Sequence, residues 1–570
     1  MLILGVNYSS HDAAVALIKD GSVIFACEEE RLNREKHTKK FPINAIKVLL
    51  EYTQTSFEDI DYIAFFVDPK LHYRLIIYNL IQAFPKSILY IPYGIKIFKK
   101  RYRMKEIFIQ HFYDLKLPQI VYVNHHIAHA ASAFHLSPFE RSAILTIDGR
   151  GEYETTMISH GVRTNIKMTL TIKYPHSLGY LYSMVTKYLG FKPQHDEYKV
   201  MALSALGTPK YYNDFLDLII IDDKSGFRLN LEYFDHHYRY GKNRKLFSEK
   251  FIRKFGPPRL PNENITQRHK DIAFALQKVT EEVVLHLVKL AKDLTGEENL
   301  CMAGGVALNS VVNAKIIDSK IFKKIFIQPA ANDAGTSVGA ALYTYYQKSK
   351  NFHRTQTLRN VFWGPSFSDE DIKVAIERYR HHVKTEELQN PEKKACSLIH
   401  KGLVVGWFQG KMEFGPRALG NRSIIASPTD SRMRDIINKK IKFREEFRPF
   451  AASILSEYVN EFFEYNPIGE LLYPYMLATV KAKREVYNKI PAVLHHDKTS
   501  RIQIVDRNNN PIFWNLINEY YKISGIPMVL NTSFNTKGEP IVCTPDNAIR
   551  TLLKSNLDCV ILGKFLVRRR

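Results

Sequence analysis

The sequence predicts an α/β protein of two domains, and three patterns carry that expectation. A strand–turn–strand–turn–strand unit opens the chain and returns at 142–171. A one-faced helix at 270–295 runs into a short apolar strand and a paired-glycine turn. Beyond residue 370, apolar strands again alternate with helical stretches.

The opening unit reads "LILGVNYSS", "AAVALIKDG" and "SVIFACEEER". Asp20-Gly21 between two apolar runs is a hairpin signal, because both positions of such a turn need a left-handed backbone. "SAILTIDGRGEYETTMISHGVRTNIKMTL" repeats the pattern at 142–171. Duplication of such a unit is the mark of actin-like domains, in which two related lobes enclose a nucleotide. Between 270 and 295, Ile272, Leu276, Val279, Val283, Leu287, Leu290 and Leu294 fall at spacings of three and four on one helical face, and Gly296 suits the C-terminal cap. "NLCMAG" then leads into "GVALNSVVNAK", a strand, glycine turn and helix whose backbone N–H groups suit a phosphate. Residues 348–370 lose periodicity, so the expected domains are 1–355 and 366–570. "GLVVGWFQG" and "IPMVLNTSF" are expected strands of the second.

Composition narrows the class. At 570 residues the chain is too long for one ordinary core. Five scattered cysteines without a CxxC pair argue for free thiols in the cytoplasm and against a cysteine metal site. No apolar run reaches the roughly 20 residues that span a bilayer, and the N-terminus lacks the basic start of a signal peptide. The formal net charge of +23 fits nucleic acid, an anionic membrane surface or phosphorylated substrates. Two segments, 95–106 and 236–255, interleave basic and aromatic residues. No nucleic-acid module surrounds them, so no specific nucleic acid is expected; solvated basic faces account for them more simply.

"NHHIAHAASAF" places His125 and His129 four apart, on one face of a helix, where two imidazoles can grip one divalent ion. Alone, HxxxH more often marks polar helix positions. Asp148 in "TIDGRGE" and Asp333 in "PAANDAGTS" follow expected strands in glycine-rich turns, where carboxylates also serve as ordinary turn caps. In the second half, "GKMEFGPRALGNRSI" offers Arg417 and Arg422, and "KKIKFREEFRPF" offers Lys442, Arg444 and Arg448. Arg501, Ser533 and Asn535 add further phosphate-facing groups. Arginine forks bind phosphate or carboxylate at two points, and their apolar neighbours suggest that a cleft pins them.

Taken in order, "NYSSHDAAVAL", "HHIAHAASAF", "TIDGRGE", "EYKVMALSALG", "CMAGGVALNSVVN", "QPAANDAGTSVGAAL", "MEFGPRALGNRSI", "FREEFRPFA" and "NTSFNTKGEPIV" resemble the O-carbamoyltransferase family of nodulation and antibiotic-tailoring enzymes, nearly end to end. The resemblance implies an N-terminal actin-like domain, of the ASKHA, duplicated ribonuclease H-like type, similar to the tRNA threonylcarbamoyl transferase. It implies a C-terminal α/β domain similar to threonylcarbamoyl-adenylate synthase. The implied reaction joins ATP, with Mg, and carbamoyl phosphate into carbamoyl-adenylate, then passes the carbamoyl group to a hydroxyl of a sugar, glycan or natural product. Its K-x-R and S-x-N pairs fall on Lys442–Arg444 and Ser533–Asn535. Its metal shell, for Fe(II) with Zn or Mn as alternatives, falls on His125, His129, Asp148 and Asp333. Its "HD" falls on His11 and Asp12, with His11 the expected general base. Glu197, Lys199, Gly304, Gly305 and Asn309 are the expected nucleotide contacts of the N-terminal domain. One departure is Ala314, where a glycine often follows "VVN". The competing expectations are a tRNA threonylcarbamoyladenosine-type transferase and a non-enzymatic basic ATP-binding scaffold.

Overall fold

The computed structural model describes residues 1–112, 117–238, 246–349 and 352–570, with residues 101 and 104 described by backbone alone. Part of the basic-aromatic segment 236–255, residues 239–245, lies outside the described residues. The chain divides into two compact units: residues 1–24 with 39–358, and residues 25–38 with 359–570.

The first unit is built on two five-stranded sheets. One contains β1 (Leu2–Asn7), β2 (Ala14–Lys19), β3 (Ser22–Glu28), β4 (Tyr62–Phe65) and β5 (Gln119–Tyr122) in the order β3-β2-β1-β4-β5. β1 pairs antiparallel with β2 and parallel with β4, and β4 pairs parallel with β5. Asp20 and Gly21 make the β2–β3 turn with φ of 49° and 80°, the left-handed pair that such a turn demands.

The second sheet repeats the plan. β6 (Arg141–Ile147), β7 (Glu154–Val162) and β8 (Asn165–Lys173) precede a hairpin of β9 (Ile219–Asp222) and β10 (Gly226–Leu229). β11 (Asn299–Ala303) and β12 (Lys324–Ile327) complete the order β12-β11-β6-β7-β8. β6 pairs antiparallel with β7 and parallel with β11, and β11 pairs parallel with β12. The expected duplication is therefore a repeat of sheet order, strand by strand, and the unit has the actin-like, ribonuclease H-like plan.

Two helices carry residues between these sheets and the site. Helix His125–Phe134 follows β5, and every one of its residues is buried. Its N-cap, Asn124, accepts from Ile127 N at 3.1 Å. Helix Gly335–Ser349 packs against it and against β1. A Cβ on Gly339 would collide with the Ala128 carbonyl, and one on Gly5 with the Ser337 carbonyl. The alanines and glycines of these segments thus allow backbones to approach closely. The long helix spans Gln267–Thr295 and ends on Gly296 at φ 69°, whose N–H donates to Lys292 O. "GVALNSVVNAK" departs from one continuous helix: Gly305–Leu308 form a 3₁₀ turn and the α-helix begins at Ser310. Asn309 forces the break, because its side chain leaves the helix to cap Val311 N and Val312 N.

The second unit holds one mixed nine-stranded sheet. Its strands are β13 (Val383–Glu387), β14 (Val405–Phe408), β15 (Arg422–Ala426), β16 (Ala451–Leu455), β17 (Thr479–Lys481), β18 (Thr499–Val505), β19 (Met528–Ser533), β20 (Cys559–Leu562) and β21 (Phe565–Arg569). They run in the order β13-β21-β20-β14-β15-β19-β16-β18-β17. The segment 25–38 is fastened here: Arg31 Nη2 donates to Gly415 O at 2.7 Å, and Arg34 donates to the Pro540 and Ile541 carbonyls. All five cysteines are free and buried. Among the described residues, no helix is long and apolar enough to cross a membrane.

Candidate metal and anion sites

In the first unit, the turns after β6 and before helix Gly335–Ser349 bring Asp148 and Asp333 to the histidine helix. His125 Nε2 lies 3.3 Å from Asp148 Oδ2 and 3.7 Å from Asp333 Oδ1. His129 Nε2 lies 3.6 Å from Asp333 Oδ1. One ligand atom from each of the four residues falls within 4.8 Å of the others. Both ring nitrogens of His129 are buried and make no hydrogen bond. A buried imidazole that offers a lone pair beside two carboxylates fits a divalent cation, with imidazole and carboxylate the donors such ions take.

The surroundings hold these groups in place. Gly305 N donates to Asp148 Oδ1 at 2.9 Å. His125 N donates to the buried Glu152 carboxylate. His125 is held up at about 8: burial pulls its pKa down, but the Asp148 hydrogen bond and the Asp333 and Asp148 charges outweigh it. Burial likewise opposes ionisation of Asp148, yet the His125 hydrogen bond and the His129 and His125 charges hold it well below the usual carboxylate range. The cluster therefore favours positive charge at its centre. His126 faces away, with Nδ1 2.7 Å from Thr146 Oγ1, and burial pushes it down to about 3.

The His11–Asp12 turn stands beside this cluster. Asn7 Nδ2 donates to the carbonyls of Asp12 at 2.9 Å and Asp333 at 2.8 Å, so one buried amide ties the two turns together. Asp12 Oδ2 accepts from Asn332 Nδ2. His11 lies in the same turn, near Asp333. Asn7 was not singled out from sequence; a buried polar residue ending an otherwise apolar β1 was the available signal.

The expected nucleotide contacts each have partners within the first unit. Gly304, at φ 93°, sits where a Cβ would strike the Ile147 carbonyl, so the β11 turn approaches the end of β6 and brings Gly305 to Asp148. Asn309 is the helix cap described above, and its amide also pairs with Gln277. Glu197 Oε1 accepts from Ser183 Oγ at 2.6 Å and Gln194 N at 2.5 Å, and Lys199 Nζ lies 3.2 Å from Asp196.

In the second unit, Lys442 follows a π-helical turn, Ile437–Ile441, and is buried. Its Nζ donates to Ser533 O, to Asn535 O at 3.0 Å and to Asn535 Oδ1 at 2.7 Å. Ser533 Oγ donates to Asn535 Oδ1 at 2.8 Å. Burial, then the Arg444, Arg448 and Lys36 charges, push Lys442 well below its ordinary range. Burial, then the charges of Arg417, Arg444 and Arg448, do the same to Arg501. Arg501 Nε is buried without a hydrogen-bond partner. The structure thus gathers Arg417, Lys442, Arg444, Arg448, Arg501, Ser533 and Asn535 into one cationic site, and adds Lys36. Glu445, 3.7 Å from Arg448, offers a partial counter-charge. Such crowding is stabilised when a polyanion binds.

Arg422 departs from expectation. It is fully buried, and its guanidinium donates to the carbonyls of Gln409, Asn421, Pro365 and Gly410 while lying 3.7 Å above the Phe408 ring. These contacts staple its own loop. Glu413 holds the same loop, with Oε1 accepting from the backbone N–H groups of Leu419, Asn421 and Arg422.

Comparison with known proteins defines the class. The family model "Carbamoyltransferase N-terminus" matches residues 2–342, and "Carbamoyltransferase C-terminus" matches residues 396–569. The chain is 38% identical to nodulation protein NolNO of Sinorhizobium fredii over 99% of its own length and 80% of that protein. An uncharacterized protein of Synechocystis is 37% identical, over 100% of this chain and 96% of that one. Among solved structures, (R)-2-hydroxyglutaryl-CoA dehydratase component A of Acidaminococcus fermentans aligns over 61% of this chain and 99% of that chain, at 14% identity and a TM-score of 0.32. The chain belongs to the carbamoyltransferase family, and it is a transferase of carbamoyl groups.

Proposed function

We propose that the chain is an O-carbamoyltransferase that works in two steps, one in each unit. The observation that carries this is the gathering of Lys442 and Arg501 with Arg417, Arg444 and Arg448, positive charge that suits polyanionic substrates. There, with ATP bound, water would cleave carbamoyl phosphate to carbamate, and inorganic phosphate would leave. A carbamate oxygen attacks the α-phosphorus, and pyrophosphate leaves. Lysine and arginine offset the charge and align the attack.

In the first unit, an acceptor hydroxyl attacks the carbamoyl carbon. The bond from that carbon to the adenylate oxygen breaks, AMP leaves, and the hydroxyl proton passes to His11 Nδ1 or Nε2. His125, His129, Asp148 and Asp333 would hold a divalent cation, with Fe(II) the first choice and Zn or Mn as alternatives. Bound there, the cation would supply Lewis acidity toward the phosphate oxygens. Asn7 keeps the His11 turn against the Asp333 turn. The acceptor class is a sugar, glycan or natural-product hydroxyl. Five buried free thiols fit a reducing compartment, the cytoplasm.

Purified protein supplied with Mg²⁺, Fe²⁺ and ATP should release pyrophosphate when carbamoyl phosphate is added. Pyrophosphate release driven instead by threonine and bicarbonate would assign the chain to the threonylcarbamoyl type. No release with either would leave the scaffold alternative.

A further inference from the structure

Residues 69–112 leave the first unit between β4 and β5 as a helical arm. It comprises helices Tyr73–Ala83, Ile91–Tyr102 and Met104–His111 with a 3₁₀ turn, Lys86–Tyr90, between the first two. Its inner face is anchored. Leu75 and Tyr90 are buried against Tyr153 and Tyr174, and Asn79 Nδ2 donates to His237 O at 2.8 Å. At its root, Asp68 N donates to Glu152, the same carboxylate that receives His125 N.

The outer face is different. Nine of the twenty exposed large apolar side chains among the described residues lie in this arm. Tyr73, Ile77 and Ile81 repeat every four residues along one helical face, and Phe84, Ile88 and Leu89 continue the exposed apolar surface. Ile81 and Phe84 are 71% and 72% exposed. Apolar surface gathered in this way marks an interaction site. The neighbouring helix supplies charge. The arm holds nine Lys and Arg residues and one acidic residue, Glu106. Ile95, Lys96, Lys99, Lys100, Arg103 and Ile107 line an open groove of about 650 Å³. The two helices pack directly, since a Cβ on Gly94 would lie 2.6 Å from Ile76 Cγ1.

We propose that this arm docks the protein on an anionic membrane surface, with Ile81, Phe84 and Leu89 entering the interface and Lys96, Lys99 and Lys100 meeting lipid headgroups. Exposed aliphatic side chains beside clustered lysines match the two terms of interfacial binding, apolar burial and attraction to anionic lipid. A nucleic-acid surface would use the charge and leave the isoleucines and leucine in water.

Co-sedimentation of the full chain, without substrates, with vesicles of phosphatidylcholine containing 30% phosphatidylglycerol tests this (the fraction is roughly that of an anionic leaflet). Binding is expected to these vesicles and to be at least about tenfold weaker to pure phosphatidylcholine. Ile81→Asn with Leu89→Asn, and separately Lys96→Glu with Lys99→Glu, should each weaken binding about tenfold or more. Circular dichroism and unchanged pyrophosphate release would show that each variant is folded. Three results would overturn the proposal: no vesicle binding, binding that both variants leave unchanged, or loss in the variants of RNA binding or self-association alone.

Discussion

Arg422 and Arg501 show how two buried arginines can differ in what surrounds their charge. Arg422 finds four backbone carbonyls and an aromatic face, and its charge is spent on the loop. Arg501 is also buried, but the charges that bear on it are those of three other arginines. Opposite effects on stability follow. Arg422→Met should cost about 3 kcal/mol, because it strands buried carbonyls. Arg501→Met should leave the ligand-free protein as stable or up to about 1 kcal/mol more so, because it removes a poorly compensated buried charge. Urea midpoints of the two variants decide it. Equal destabilisation would make Arg501 structural.

At the scale of elements, close backbone approach builds the first site. Helix His125–Phe134 lies against helix Gly335–Ser349 where Gly339 faces Ala128, and this packing keeps the histidines opposite Asp333. Gly339→Val should cost about 1–3 kcal/mol by overpacking and should weaken Fe²⁺ or Zn²⁺ uptake, read by denaturation and by metal content after dialysis. Unchanged uptake in a folded variant would show that the packing does not set the site. Much of this was legible in the sequence. The HxxxH spacing, the strand-ending aspartates and the duplicated strand–turn pattern each map onto a local element. What was not legible depends on partners far along the chain. Nothing local in "CEEERLNREKHT" says that residues 25–38 pack with residues 359–570, since the carbonyl that Arg31 reaches is 384 residues away and those that Arg34 reaches are 506 and 507 residues away. Asn309 and Glu197 stand in motifs that the sequence singles out, but the cap that Asn309 makes and the bonds that Glu197 accepts appear only once neighbouring backbone N–H groups are placed.

At the scale of the whole molecule, the two units differ in the charge they invite. The first gathers two carboxylates around two imidazoles and suits a cation. The second gathers lysine and arginine and suits polyanions. The central claim is that each performs one half of carbamoyl transfer. Two variants separate the halves: His129→Ala removes a group of the first site, and Lys442→Met a group of the second. The decisive measurement is mass-spectrometric quantitation of carbamoyl-adenylate after ATP and carbamoyl phosphate are mixed with each variant. His129→Ala should make the adenylate at close to the parent rate, and Lys442→Met should lower it at least about a hundredfold, as loss of a group that stabilises transition-state charge does. Loss of the adenylate in His129→Ala, or its persistence in Lys442→Met, would contradict the account.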